Sequence, residues 1–359
     1  MIQIVQPRPD RPIHVQIEVT WKCNWRCVHC YQDDHSLQVL NLERLRDLAR
    51  ELAEMGTMHV IVTGGEPLVR SDIFPILESF RAQGLGLTLY TNGHKVTDEV
   101  ADRLAGLIST AEISVLAGDE AVHDLLARVP GAFRRTIRAI EELSRRGVDV
   151  LVKTPLLRPG YSTLKALEGR MQDLGVEWTV DPEISRSYSG EQFPLQYKLD
   201  FDEVRRFFAD FPRFNPQAGY KPTTDPGVRL GMCLAARQFC FIDATGNVYP
   251  CLNFKSACDV REANGNEAAA RLGNILDQPF GRIWESSPMA RAIRAATVSD
   301  FATCGGCKAH EGCRPCMALN YEEHGELFRP SQIVCRQTQA AASLTDPTFI
   351  PASQLRPAR

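Results

Sequence analysis

The chemistry in this chain concentrates in one short stretch, Cys23-Asn-Trp-Arg-Cys27-Val-His-Cys30-Tyr31. Three cysteines within eight residues cannot all pair well as disulfides in so short a loop. Three thiolates converging on an iron–sulfur cluster is the simpler account. A 4Fe–4S cluster needs four ligands to close, so three leave one iron open to a substrate or cofactor. A zinc knuckle is the alternative that the cysteines alone leave open. A second group follows about 35 residues later, Gly64-Gly65-Glu66-Pro67. Its two glycines let backbone approach a ligand closely, and the carboxylate beside them can hold an ammonium group.

The elements that must position these groups read as alternating strands and helices. Residues 13–20 alternate apolar and polar and give the first strand, with the cysteine loop directly after it. Leu42, Leu45, Leu48, Ala49 and Leu52 mark one face of a helix that stops at Gly56. Further strands read at 60–63, 87–90, 113–116, 148–155 and 176–180, with helices at 71–84, from 97, at 133–143, 164–174 and 202–211. Six such alternations predict an α/β fold, a partial (β/α)6 TIM-like barrel with a parallel sheet. Chemistry in such folds sits at the carboxyl ends of the strands, which places Cys23, Cys27 and Cys30 beside Gly64, Gly65 and Glu66. Asn92 and Ser114, at the ends of strands three and four, are candidate polar contacts. Lys153, near the end of strand five, faces the same site or solvent.

Nine more cysteines lie beyond residue 232. Alternation around Gly246 predicts a β-hairpin leading into Cys251. The chain has 359 residues, 44% of them hydrophobic, and a net charge of −3, so neither nucleic acid nor a membrane surface is expected as the main partner. It shows no signal peptide and no apolar run of ~18 residues. Twelve cysteines without an export signal therefore read as metal ligands in a reducing, cytoplasmic setting. The expected division is 1–225 for the barrel, 226–340 for a cysteine-rich domain with a β-hairpin and short helices, and 341–359 for a tail.

The spacing Cys-x3-Cys-x2-Cys followed by Tyr31, together with Gly64-Gly65-Glu66, resembles the signature of the radical S-adenosylmethionine enzymes. His123-Asp124, residues 130–133 and residues 152–157 are similar to one subgroup of them, and residues 181–184 to members that modify ribosomally made peptides. Ser114-Val115-Leu116-Ala117-Gly118 departs from relatives that carry an aspartate there. The C-terminal cysteines resemble the SPASM extension of this superfamily. The resemblance implies that Cys23, Cys27 and Cys30 hold the catalytic 4Fe–4S cluster. Gly64, Gly65, Glu66, Asn92 and Ser114 would then bind S-adenosylmethionine. It also implies two auxiliary 4Fe–4S clusters, one on Cys233, Cys240, Cys251 and Cys316, the other on Cys304, Cys307, Cys313 and Cys335. Cys258 is left over as a bystander. Only Arg314 and Pro315 separate Cys313 from Cys316, where relatives often have three residues, and this bears on which of the two serves which cluster.

The implied activity is a 5′-deoxyadenosyl radical abstracting hydrogen to crosslink, desaturate or decarboxylate a ribosomal peptide. Spacing of Cys233, Cys240 and Cys251 is similar to that of the mycofactocin maturases. Sulfatase maturases place an aspartate where Leu252 stands, which disfavours that class. A tetrapyrrole or small-molecule substrate and a plain iron–sulfur electron carrier are the alternatives. About a dozen residues precede strand one, so a leader-binding domain within the chain is not expected. A separate leader-binding protein and a flavodoxin- or ferredoxin-type reductant are the implied partners. Residues 185–197 and those after Cys335 are candidate substrate-contacting loops.

Overall fold

The computed structural model describes residues 11–182, 184–215, 233–267, 269–297, 300–301, 313 and 315–344. Cys304 and Cys307 lie outside the described residues. The described chain separates into two compact units, one comprising the residues to Lys198 with Leu234–Arg294, the other Leu199–Cys233 with the residues from Ala295 on.

The first unit is built on a sheet in the order β6-β5-β4-β3-β2-β1-β7-β8-β9. Its strands are β1 (His14–Glu18), β2 (His59–Thr63), β3 (Gly86–Thr91), β4 (Thr110–Ser114), β5 (Asp149–Pro155), β6 (Glu177–Asp181), β7 (Phe239–Ile242), β8 (Asn247–Tyr249) and β9 (Gly273–Asn274). Pairing is parallel from β6 to β1 and across β1 to β7, and antiparallel from β7 to β9. The barrel is therefore open and incomplete. The expected hairpin is β7–β8, turning at Gly246, whose φ of +87° suits glycine. Asp243 holds that turn by accepting from the Thr245 and Asn247 amides. Because β7 adds to β1, residues 234–294 group with the barrel strands in one compact unit.

Register separates the two faces of the sheet. Val15, Ile17, Val60, Val62, Leu87, Leu89, Ala111, Ile113, Val150 and Val152 share one face and are buried. Helices α1 (Leu42–Glu54), α2 (Ile73–Ala82), α3 (Asp98–Ala105), α4 (Glu120–Ala127), α5 (Ala132–Arg145) and α6 (Leu164–Leu174) connect the strands. Of these, α2 packs on β3, α5 on β4 and β5, and α6 on β6. Glu18, Thr88, Tyr90, Glu112, Ser114 and Lys153 occupy the other face. That polar face is the one available for chemistry.

The fourth strand lies earlier than its apolar run suggests, at Thr110–Ser114 and not 113–116. Val115, Leu116 and Ala117 are buried all the same, because Leu116 and Ala117 pack beneath the cysteine loop with Trp25 and Val28. Helix α4 has no counterpart in the sequence reading. Asp119 caps it through the Val122 amide, so its carboxylate is committed to the backbone.

After β8 the first unit adds α8 (Leu252–Ala263), α9 (Phe280–Ser286) and most of α10 (Pro288–Ala295). The second unit contains α7 (Phe201–Asp210), α11 (Met317–His324) and α12 (Gln332–Ala342), with α12 packed on α7. Among the described residues no helix is long and apolar enough to cross a membrane.

Candidate active site

The cysteine loop leaves the end of β1 and is held from both sides. The Trp21 amide donates to the Leu37 carbonyl at 2.8 Å. The Arg26 and Val28 amides donate to the last carbonyls of α4, those of Ala127 and Leu126, at 3.3 and 2.9 Å. Trp25 and Val28 are buried against Leu116, Leu126 and Ala127, with Cys23 and Cys27 packed on the same cluster. The Trp25 indole donates to His94 Nδ1 at 3.1 Å, and the Arg135 guanidinium stands 2.9 Å from His94 Nε2.

The Gly-Gly-Glu turn meets this loop backbone to backbone. Gly65 and Glu66 donate to the Thr20 and Lys22 carbonyls at 2.8 and 2.9 Å. A β-carbon on Gly64 would stand 2.3 Å from the Thr20 oxygen, and one on Gly65 2.4 Å from the Trp21 oxygen. What approaches these glycines is the entry to the cysteine loop. Glu66 is fully buried and accepts from the Leu68 amide, the Thr91 hydroxyl and the Asn92 amide at 3.0, 2.8 and 2.7 Å. Burial pushes its carboxyl up, and these three donors pull it back. The carboxylate thus ties β2 to β3 and keeps part of its acceptor capacity. Asn92 donates through Nδ2 to Asn24 Oδ1 at 2.9 Å, joining β3 to the cysteine loop. Ser114 ends β4 exposed, in register with Lys153. Lys153 pairs with Glu112 at 3.3 Å on the same polar face.

Cys23, Cys27 and Cys30 are half-buried thiols. Burial pushes Cys23 up to about 12, Cys30 to about 11, and Cys27 well above its ordinary range. Cys27 feels both other sulfurs, so three thiolates here need a compensating cation. Among the described residues no three His, Cys, Asp or Glu side chains converge as a single metal ion requires. Buried polar atoms without partners also gather here, namely Asn24 Nδ2 and His29 Nδ1. Such atoms are uncommon in finished interiors, and the donor set fits a cluster and a polar cofactor.

Spacing alone did not reveal several residues that build the site. Arg70, nearly fully buried, donates to the Val19 and Leu40 carbonyls and pairs with Asp72. Its place just after Gly-Gly-Glu-Pro was the available signal. Residues 185–197, expected to meet substrate, in part clamp the cysteine loop. The Tyr188 amide donates to the Tyr31 carbonyl at 2.7 Å, and the Ser189 amide to Asp33 Oδ2 at 2.7 Å.

Glu18 gives the site a pH signature. Burial raises its carboxyl from 4.5 to about 7, against the opposing pull of the Lys255 ammonium. The folded chain therefore holds a proton that the unfolded chain releases first. Stability falls as pH rises from 4.5 to about 7, by about 3 kcal/mol. Thermal unfolding of the metal-free chain across this window should show that slope, and Glu18→Gln should flatten it.

The auxiliary cysteines divide between the units. Cys240 is buried on β7, and Cys251 is the residue capping α8. In the second unit Cys316 precedes α11 and Cys335 lies on α12. There the Thr338 hydroxyl meets Cys313 Sγ at 3.5 Å. Cys258 is fully buried within α8, its thiol pushed up to about 12 by burial, as for an inert cysteine.

Comparison with known proteins agrees with this geometry. Residues 17–163 match the radical SAM superfamily and residues 233–317 the SPASM iron–sulfur cluster-binding domain. The AdoMet-dependent heme synthase of Nitratidesulfovibrio vulgaris is 27% identical over 340 residues, covering 86% of this chain and 88% of its own. The mycofactocin maturase MftC of Mycolicibacterium smegmatis is 29% identical over 332 residues, covering 87% and 80%. Among solved structures, S-adenosylmethionine-bound SuiB of Streptococcus suis superposes with a TM-score of 0.69 at 17% identity, covering 91% of this chain and 78% of that one. AdoMet-bound anSMEcpe gives 0.69 at 16%, covering 94% and 98%. The chain thus carries a radical SAM domain over residues 17–163 and an SPASM iron–sulfur domain over residues 233–317, the make-up of a radical SAM enzyme.

Proposed function

We propose that this enzyme oxidatively modifies a ribosomally made peptide at an unactivated carbon, by crosslinking, desaturation or decarboxylation. The observation that carries the reading is the three-thiol loop at the end of β1, hydrogen-bonded to the Gly-Gly-Glu turn. When bound, the reduced cluster and S-adenosylmethionine supply a 5′-deoxyadenosyl radical that takes a hydrogen atom from substrate. Cys23, Cys27 and Cys30 hold that cluster. Glu66 offers its remaining acceptor capacity to the cofactor's ammonium. Asn92 and Ser114 border the cofactor, and Gly64 and Gly65 let the turn lie against the cysteine loop.

Two further 4Fe–4S clusters complete the proposal, on Cys233, Cys240, Cys251 and Cys316 and on Cys304, Cys307, Cys313 and Cys335. A flavodoxin- or ferredoxin-type protein supplies electrons, a separate protein presents the peptide leader, and the setting is cytoplasmic. The mycofactocin maturases among the relatives and Leu252 in place of an aspartate favour a peptide of that type. The heme synthases among the relatives support a tetrapyrrole side chain as the second reading.

The test gives the reconstituted enzyme a synthetic copy of a short peptide encoded beside its gene, or a propionate-bearing tetrapyrrole. Mass loss on the peptide, with solvent-independent hydrogen transfer into 5′-deoxyadenosine, is the expected result. Modification of the tetrapyrrole alone would replace the peptide reading with the second one.

A further inference from the structure

Behind the cysteine loop lies a buried charged group that the proposed chemistry leaves unexplained. Lys255 sits on α8, one turn after Cys251, whose carbonyl accepts from its amide at 3.3 Å. Its side chain is 2% exposed. An ammonium is seldom buried so deeply without several compensating partners. Here Nζ pairs with Asp259 on the same helix, lies 3.1 Å from the centre of the Tyr188 ring and 5.3 Å from that of Trp21.

Both aromatic partners belong to the frame of the cysteine loop. Trp21 stands two residues before Cys23, and its indole donates to Glu18 Oε2 at 2.8 Å. Tyr188 donates its amide to the carbonyl of Tyr31, the residue after Cys30, and the two rings lie 4.9 Å apart. One buried cation thus meets the ring at the entry to the loop and reaches its exit through a second, tilted ring pair. A methionine of similar length would fill the space but would lose the ion pair and both ring contacts. Asp259 would also lose its ion-pair partner, and Glu18 the pull of the ammonium.

We propose that Lys255 is a positioning residue for the catalytic centre, fixing both ends of the loop of residues 23–30 to the helix that opens at Cys251. This rests on those three cysteines holding the cluster. It gives the two cysteine sites of the first unit a mechanical link, so that the order of the helix after Cys251 bears on the geometry at Cys30.

The test uses the full chain as wild type, Lys255→Met, Lys255→Arg and Tyr188→Leu. Hydrogen exchange on the metal-free proteins should quicken within residues 21–33 in Lys255→Met and Tyr188→Leu, with strands β3 to β5 unchanged. After anaerobic reconstitution, Lys255→Met should retain its iron but lose the change that S-adenosylmethionine makes in the electron paramagnetic resonance signal of the reduced cluster. Cofactor cleavage should fall about tenfold to 100-fold, and Lys255→Arg should restore most of both. A wild-type spectral response and cleavage rate in Lys255→Met would overturn the proposal. If Lys255→Met does not fold, an unaltered response in Tyr188→Leu overturns it equally. Failure of the wild type to cleave S-adenosylmethionine would instead refute the proposed function, and the exchange result would still report on the loop.

Discussion

Cys27→Ala should abolish release of 5′-deoxyadenosine while leaving the chain folded and most of its iron bound. The side chain is small and half-buried, so its loss should cost only about 1 kcal/mol of stability. The loop keeps its Arg26 and Val28 hydrogen bonds to α4 in the variant, because backbone amides make them. What disappears is one of the three thiols proposed to hold the catalytic cluster. Turnover should fall by roughly 100-fold or more. Iron should fall from about twelve to about eight atoms per chain if three 4Fe–4S clusters are present. Anaerobic reconstitution, an iron assay and chromatography of the nucleoside products measure all three quantities. Full turnover in this variant would move the catalytic cluster elsewhere.

The second large effect is expected at a residue that does no chemistry. In Gly65→Ala the new methyl would lie 2.4 Å from the Trp21 oxygen and 2.5 Å from the Lys22 oxygen. Both neighbours are backbone, so neither can swing away as a flexible side chain would. The turn must retreat, and the bonds from Gly65 to Thr20 and from Glu66 to Lys22 stretch or break. Destabilisation of about 3 kcal/mol is expected, and the displaced loop should fail to load the catalytic cluster. Gly169→Ala is the control. Gly169 lies within α6 with nothing within 4 Å of its added carbon, so that change should stabilise by about 0.5–1 kcal/mol. Thermal unfolding and iron content of the two variants test the contrast. Equal loading of Gly65→Ala and wild type would show that the loop does not depend on this contact.

Much of this was legible because local pattern and tertiary placement agreed. The β-branched runs at 13–20 and 60–63 became β1 and β2, and the leucine face at 42–52 became α1. The fourth strand misled because Leu116 and Ala117 are apolar for packing under Trp25, not for pairing in the sheet. The cysteine triad and the Gly-Gly-Glu turn stood out by spacing, which also placed them side by side. The reason for the two glycines did not, since a 2.3 Å approach to the Thr20 oxygen is a property of two segments meeting. Lys255 was invisible for the same reason, and Tyr188 showed only as part of the loop 185–197. They lie 67 residues apart in sequence, and neither sits in a motif. The addition of β7 to β1 was likewise hidden, because a long intervening segment separates two strands that each look complete alone.

The most direct test of the central claim is anaerobic reconstitution of the wild-type chain, followed by S-adenosylmethionine and a strong reductant. Release of 5′-deoxyadenosine, with iron and sulfide bound and no zinc required, is the predicted result. A chain that binds zinc, or that carries iron yet leaves S-adenosylmethionine intact under the reductant, would contradict it.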